Sequence, residues 1–271
     1  MATEDLMTCK DTMLTRWTRA VAIGAAGALM VSAAARADEG EAKALFKAMS
    51  DYLAAQNAIS LDYDSYLEIV TSQEQKLGLA SSGTVTLNRP DKIRATRTGG
   101  FANVELVFDG KTASLIGKNT NFYAQAEAPG TIDQLVEELR DKYHRPLPAA
   151  DLLMSNPYDQ LMPLVKDAKD LGSGVIGGVE CDHLAFRTEE VDWQIWIAQG
   201  ARPYPCRYVI TSTKIAGSPQ YTIVVRTWKT GAEAGSDSFN AAIPSGAQKV
   251  APTELADFDE LPRIFTPAGA K

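Results

Sequence analysis

Residues 171–178, LGSGVIGG, carry Gly172, Gly174 and Gly177 in the spacing G-x-G-x-x-G. That spacing marks a loop around a dinucleotide pyrophosphate, provided a strand precedes it and a helix follows, so that the helix N-terminus faces the phosphates. Here the order reads reversed, with a helical pattern before the glycines and alternating apolar residues after them. The glycines therefore read as a turn and strand entry where backbone approaches backbone, and no nicotinamide or flavin cofactor is expected. Asp182-His183 looks like part of a triad. Neighbours along a strand point to opposite faces, however, and cannot act as orienter and base. His144 and His183 are the only histidines, too few for a His-rich metal site, and no G-x-S-x-G nucleophile elbow occurs. The carboxylates are scattered over polar strand faces, and a glycosidase-type pair meeting only in space stays open. No catalytic residue, metal or cofactor is assigned.

The compartment bears on the cysteines. Lys10, Arg16 and Arg19 precede an apolar run from Ala20 to Val31, and Ala35-Arg36-Ala37 follows. These are the three parts of a secretory signal peptide, and the apolar run falls short of the ~20 residues that span a bilayer. Residues 1–37 are expected to be removed after Ala37 by a Sec-type pathway, leaving a periplasmic protein with no permanent membrane span. Cleavage takes four of 27 Lys/Arg and three of 34 Asp/Glu with it, leaving a net charge of −8. An acidic chain without basic clusters is a poor partner for nucleic acid or anionic lipid surfaces. Cys181 and Cys206 then remain in an oxidising compartment, where an even count suggests a disulfide. One strand separates them, so a bulge or an altered path near Pro203 and Pro205 is needed to meet the Cα limit of about 7 Å.

The elements that position these residues are mostly strands. Leu45, Met49, Tyr52 and Leu53 recur at helical spacing between Glu41 and Gln56. From Ile59 to Ile69 apolar and polar residues alternate, which reads as a half-buried strand. Strands follow at 77–87 and 93–97, and Asp109-Gly110 reads as a two-residue type I′ turn between Val104, Leu106, Phe108 and Leu115. Thr131 caps a helix, and short helical pieces run to Lys169, broken by Pro146, Pro148, Pro157 and Pro163. Strands return at 178–188, 191–198, 206–214 and 221–229, with a last edge strand at 239–243. Trp193 and Trp196 face opposite sides of their strand. Short turns make the strands antiparallel, so the chain reads as one α+β domain over 38–250. After Pro244 the sequence reads as loosely held, and 251–271 is assigned as the C-terminal tail.

RPDKIR (89–94), FDGKT (108–112), CDHLAFR (181–187), DWQIWI (192–197) and PQY (219–221) occur in that order. In combination they resemble a family of predicted periplasmic proteins without an assigned reaction. The first helix, the arginine-proline turn and the FDGK hairpin are also similar to the LolA/LolB lipoprotein-carrier superfamily. That resemblance implies a curved antiparallel half-barrel covered by helices, with a cavity for acyl chains. The expected function is a non-enzymatic periplasmic protein binding an apolar or acyl-chain ligand, of the kind a lipoprotein carrier or chaperone takes. Leu61, Tyr63, Leu106, Phe108, Leu184 and Phe186 are the expected cavity residues. A protein-interaction or envelope-sensing module, a hydrolase with dispersed carboxylates and a structural component are the alternatives.

Overall fold

The computed structural model describes residues 39–252 except 101, 144–146, 148 and 236–237. The signal peptide, its cleavage site, His144, Pro146, Pro148 and residues 253–271 lie outside the described residues. The described residues all belong to one compact unit, Ala35–Lys271. None of their helices is long and apolar enough to cross a membrane.

Six strands come first: β1 (Ala58–Val70), β2 (Lys76–Asn88), β3 (Lys92–Gly99), β4 (Asn103–Phe108), β5 (Thr112–Gly117) and β6 (Phe122–Glu127). Five more follow: β7 (Asp167–Ile176), β8 (Val179–Arg187), β9 (Val191–Ala198), β10 (Pro205–Ser212) and β11 (Gln220–Thr230). Each set is an antiparallel meander. A short β12 (Gln248–Lys249) joins β6 in parallel, giving the sheet order β12-β6-β5-β4-β3-β2-β1-β11-β10-β9-β8-β7. The meanders are fused where β1 pairs with β11. The sheet is open, and its curvature follows from one comparison. Leu106 on β4 and Tyr208 on β10 line the same cavity although they lie five strand steps apart, about 24 Å on a flat sheet.

The glycines of LGSGVIGG belong to a hairpin. Gly172 and Gly174 lie within β7, and Gly177-Gly178 link β7 to β8, both at positive φ (57° and 85°). Two central residues at positive φ make a type I′ turn. The helical pattern expected up to Lys169 ends earlier, because a strand begins at Asp167. The phosphate loop is thus ruled out by a strand on each side of the turn, and not by a preceding helix. At the other hairpin only Gly110 (φ 90°) has positive φ, so the I′ expectation fails. Asp109 closes that turn instead, its Oδ1 accepting from the amides of Lys111 (2.9 Å) and Thr112 (2.8 Å).

Those amide bonds, Thr112 first, hold the Asp109 carboxyl below its ordinary pKa. A depressed folded pKa gives stability that is present above about pH 4 and lost as pH falls through the folded value. Asp109→Ala should therefore cost about 1 kcal/mol at pH 7, a discounted figure for two bonds on a largely solvated group. The deficit should vanish near pH 2. Urea titrations at the two pH values check this, and an equal deficit at both would remove the carboxylate from the account.

Helix α1 (Glu39–Ala54) buries Ala42, Phe46, Met49 and Leu53. Phe46 meets Phe186 (5.6 Å between ring centroids) and Trp193 (5.3 Å), while Phe186 and Trp193 stack at 4.0 Å. Helix α2 (Ile132–Asp141) starts at Thr131 with a capping box closed by Gln134. It lies over β5 and β6, and the Ile132 amide donates to the Pro90 carbonyl (2.8 Å). Buried Ser50 accepts from the Tyr158 amide at 3.0 Å, fixing α1 to α3 (Pro157–Leu161).

The C-terminal segment corrects two expectations. Residues 239–243 form no strand. Arg94 donates to the carbonyls of Ser238 and Asn240, and Val250 donates to Tyr123 (2.9 Å). This segment lies against the outer face of β3–β6, so residues 238–250 are held and not loose. Glu105, buried there, pairs with Arg94 and with Lys118 (2.9 Å).

Candidate functional site

Strand alternation places Leu61 and Tyr63 of β1, Val85 of β2, Ile93 and Ala95 of β3 and Leu106 of β4 on the inner face. Ile223, Val225 and Trp228 extend it across β11. Above them runs the connection after α2, with Leu147, Ala150, Leu152 and Leu153 facing down. Between the layers lies a cavity of about 180 Å³, above the roughly 150 Å³ of an engineered void that stays dry and takes up benzene. A second cavity of about 70 Å³ lies under α2, floored by Ala113, Ala124, Ala126 and Ala128. Leu106, Leu115 and Leu147 border both, so these three apolar side chains form the boundary between the two.

The cover is tied to the sheet by polar contacts. Arg89 Nη2 donates to the Met154 carbonyl (3.1 Å), and Asp133 of α2 accepts from the Ser155 amide (2.9 Å) and hydroxyl. Burial lowers the Arg89 pKa, with Asp133 opposing.

One polar row crosses the larger cavity. Arg97 pairs with Gly83, and Gly83 with Tyr63. A Cβ on Gly83 would come within 2.0 Å of the Thr96 carbonyl oxygen and 2.6 Å of the Tyr63 ring. The missing side chain lets Tyr63 lie across β2 and donate to the Thr96 carbonyl (3.0 Å). Burial pushes the Tyr63 phenol up to about 12, so it is a neutral donor. Arg97 is the one charged residue among those lining this cavity.

Leu61, Tyr63 and Leu106 thus line the larger cavity, while Phe108, Leu184 and Phe186 do not. Phe108 and Leu184 have no exposed surface and Phe186 is 2% exposed. All three belong to the packed core, Phe186 lying directly against Phe46 of α1. They share the inner face, but helix and neighbouring side chains fill the space above them. Sequence reasoning missed Val85, Arg97, Val225 and Trp228. The i ± 2 rule from Ile93 reaches Arg97, whereas β11 joins the site only through its pairing with β1.

The cysteines form a separate cluster with Ala198. Cys181 of β8 pairs with Ala198 of β9, and Cys206 sits in a bulge of β10 between Pro205 and Arg207. Both thiols are free and buried. Burial is the largest influence on each and raises both pKa values; contact between the two lowers Cys181 and raises Cys206. On the outer face His183 stacks on Trp196 at 4.0 Å, and its Nε2 bonds Gln194 (2.9 Å). Asp151, in the cover, is raised chiefly by burial.

No curated protein matches the sequence significantly. The chain is similar to several solved structures at low identity. One is an uncharacterized conserved protein from Thermus thermophilus, at 14% identity over 78% of this chain and 99% of that one (TM-score 0.44). A second is LprF from Mycobacterium bovis, at 11% over 77% and 100% (TM-score 0.45). A third is a chain of the Pseudomonas aeruginosa MucA/MucB complex, at 13% over 74% and 61% (TM-score 0.42). The sequence model of a family described as "Predicted periplasmic protein (DUF2092)" matches residues 42–252, most of the chain, and the protein belongs to that family.

Proposed function

We propose that this protein is exported to the periplasm through cleavage after Ala37, and there holds an apolar, acyl-chain ligand without acting as an enzyme. The observation that carries the reading is the cavity. Core packing is close elsewhere under α1, yet about 180 Å³ stands open over the middle strands behind leucine, isoleucine and valine walls. Natural cores rarely leave such voids, whereas ligand sites are concave and mostly apolar. Burial of a tail supplies about 0.8 kcal/mol per methylene before ordering costs. Prolines 157 and 163 break the cover into short pieces, suited to admitting a chain. A carrier or chaperone role, with a lipoprotein as cargo, extends this reading. The Cys181–Cys206 pair closes as a disulfide in that compartment and staples the sheet.

Leu106→Phe tests the reading, because the larger ring would take up space where Leu106 lines both cavities. A fluorescent fatty-acid analogue should bind the purified protein and be displaced by palmitate. The variant should bind at least tenfold more weakly, with stability within about 1.5 kcal/mol of the parent. Failure of the parent to bind any apolar probe would end the proposal.

A further inference from the structure

The inner face changes character along its length. On β1 it runs from Leu61 through Tyr63 to Ser65, on β2 from Val85 through Gly83 to Ser81, and on β3 from Ile93 through Ala95 to Arg97. Ser65 and Ser81 bond each other through their hydroxyls (2.8 Å). Arg97 and Tyr221 form the partition between the large apolar cavity and a small pocket that contains these serines. No carboxylate lines either space among the described residues. At the far end, beyond Leu106 and Leu115, the second cavity has an alanine floor and its one charged lining residue is Glu138. A positive end near hydroxyls, an apolar middle bounded by Leu106 and Leu115, and an acid at the other end favour one orientation for an amphiphile.

We infer that the site takes a single-chain anionic amphiphile, its carboxylate or phosphate held at Arg97 and its tail running past Leu106 to the alanine floor. The inference rests on the apolar-ligand reading and adds the head group and direction to it. Arg97 lies three strands from Ala126 across the sheet and four residues along it by register, a diagonal of about 19 Å, on the scale of a long acyl chain. The Arg97 guanidinium offers charge-assisted bonds to either anion, and Ser65 and Ser81 line the small pocket that it borders. Alanines at 124 and 126 leave room that larger side chains would close.

Titrations with palmitate, lysophosphatidic acid and uncharged hexadecanol separate the possibilities. The parent protein should bind at least one of the two anions tenfold or more tightly than hexadecanol, and the stronger of the two identifies the head group. Arg97→Gln should weaken binding of that anion at least tenfold more than it weakens hexadecanol, with circular dichroism reporting the fold, and Arg97→Lys should restore most of the difference. Ala126→Leu should shift the preferred chain from palmitate toward laurate. Equal affinity for charged and uncharged chains, or equal weakening of both by Arg97→Gln, would overturn the head-group assignment and leave the apolar-ligand reading standing. Loss of binding to all three probes in the parent would overturn both.

Discussion

Phe46→Ala should lower the unfolding free energy by about 3–5 kcal/mol, the range for truncating a buried aromatic. Phe46 has no exposed surface, and its ring contacts Phe186, Trp193 and Tyr158. Those contacts attach α1 to β8 and β9, on the half of the sheet remote from β6. The surrounding groups are rings fixed by their own stacking, so collapse into the void is limited and the cost falls toward the upper end. Phe186→Glu should be more damaging, because a carboxylate there would have no solvent and no partner in a core of aromatic rings. Denaturant melts monitored by tryptophan fluorescence check both. A loss under about 1 kcal/mol for Phe46→Ala would mean that α1 is a removable cover and not part of the core.

Reduction of the proposed Cys181–Cys206 bridge in exported protein should cost about 3.5 kcal/mol, the chain-entropy value for a loop of roughly 25 residues between the two. Simple register puts strands two apart at nearly 10 Å, too far for a bridge. The bulge at Cys206 and the small side chain of Ala198 bring the thiols together over one methyl group. Because burial raises both thiol pKa values, neither resembles the low-pKa cysteine of a redox enzyme, so the proposed bridge is a structural one and not a redox pair. Intact mass of protein purified from the periplasm should be two hydrogens below the dithiol value, and its N-terminal residue should be Asp38. The reducing agent should lower the denaturation midpoint of the parent and not of Cys206→Ser. Two free thiols in mature protein beginning at Asp38 would refute the bridge alone. Full-length protein retained in the membrane would refute export.

Much of the architecture was legible because it is local. Alternation in ISLDYDSYLEIV, the capping Thr131 and the tight turns each depend on neighbours within a few residues. So does the rejection of LGSGVIGG as a phosphate loop, although its physical reason is a strand on each side. A glycine-rich stretch that forms a bulged strand and its turn carries too little apolar pattern to be told from a helix end. The Asp109 turn was misassigned in type because its closing bond comes from a side chain, which dipeptide preference does not reveal.

By itself the sequence determined the antiparallel α+β class, the apolar identity of the inner face and the placement of Leu61, Tyr63 and Leu106 on it. Only the tertiary structure decided which part of that face stays open. Alternation assigns a face to Phe108, Leu184 and Phe186 as readily as to Leu106, but whether space remains above a residue depends on what packs there. Helix α1 fills one region, while the connection after α2 only spans another. The same holds for the pairing of β1 with β11, which joins residues more than 150 positions apart and carries Val225 and Trp228 to the cavity. No local pattern encodes such a pairing. It is selected by the burial that the whole sheet achieves when it curves around its two covering layers.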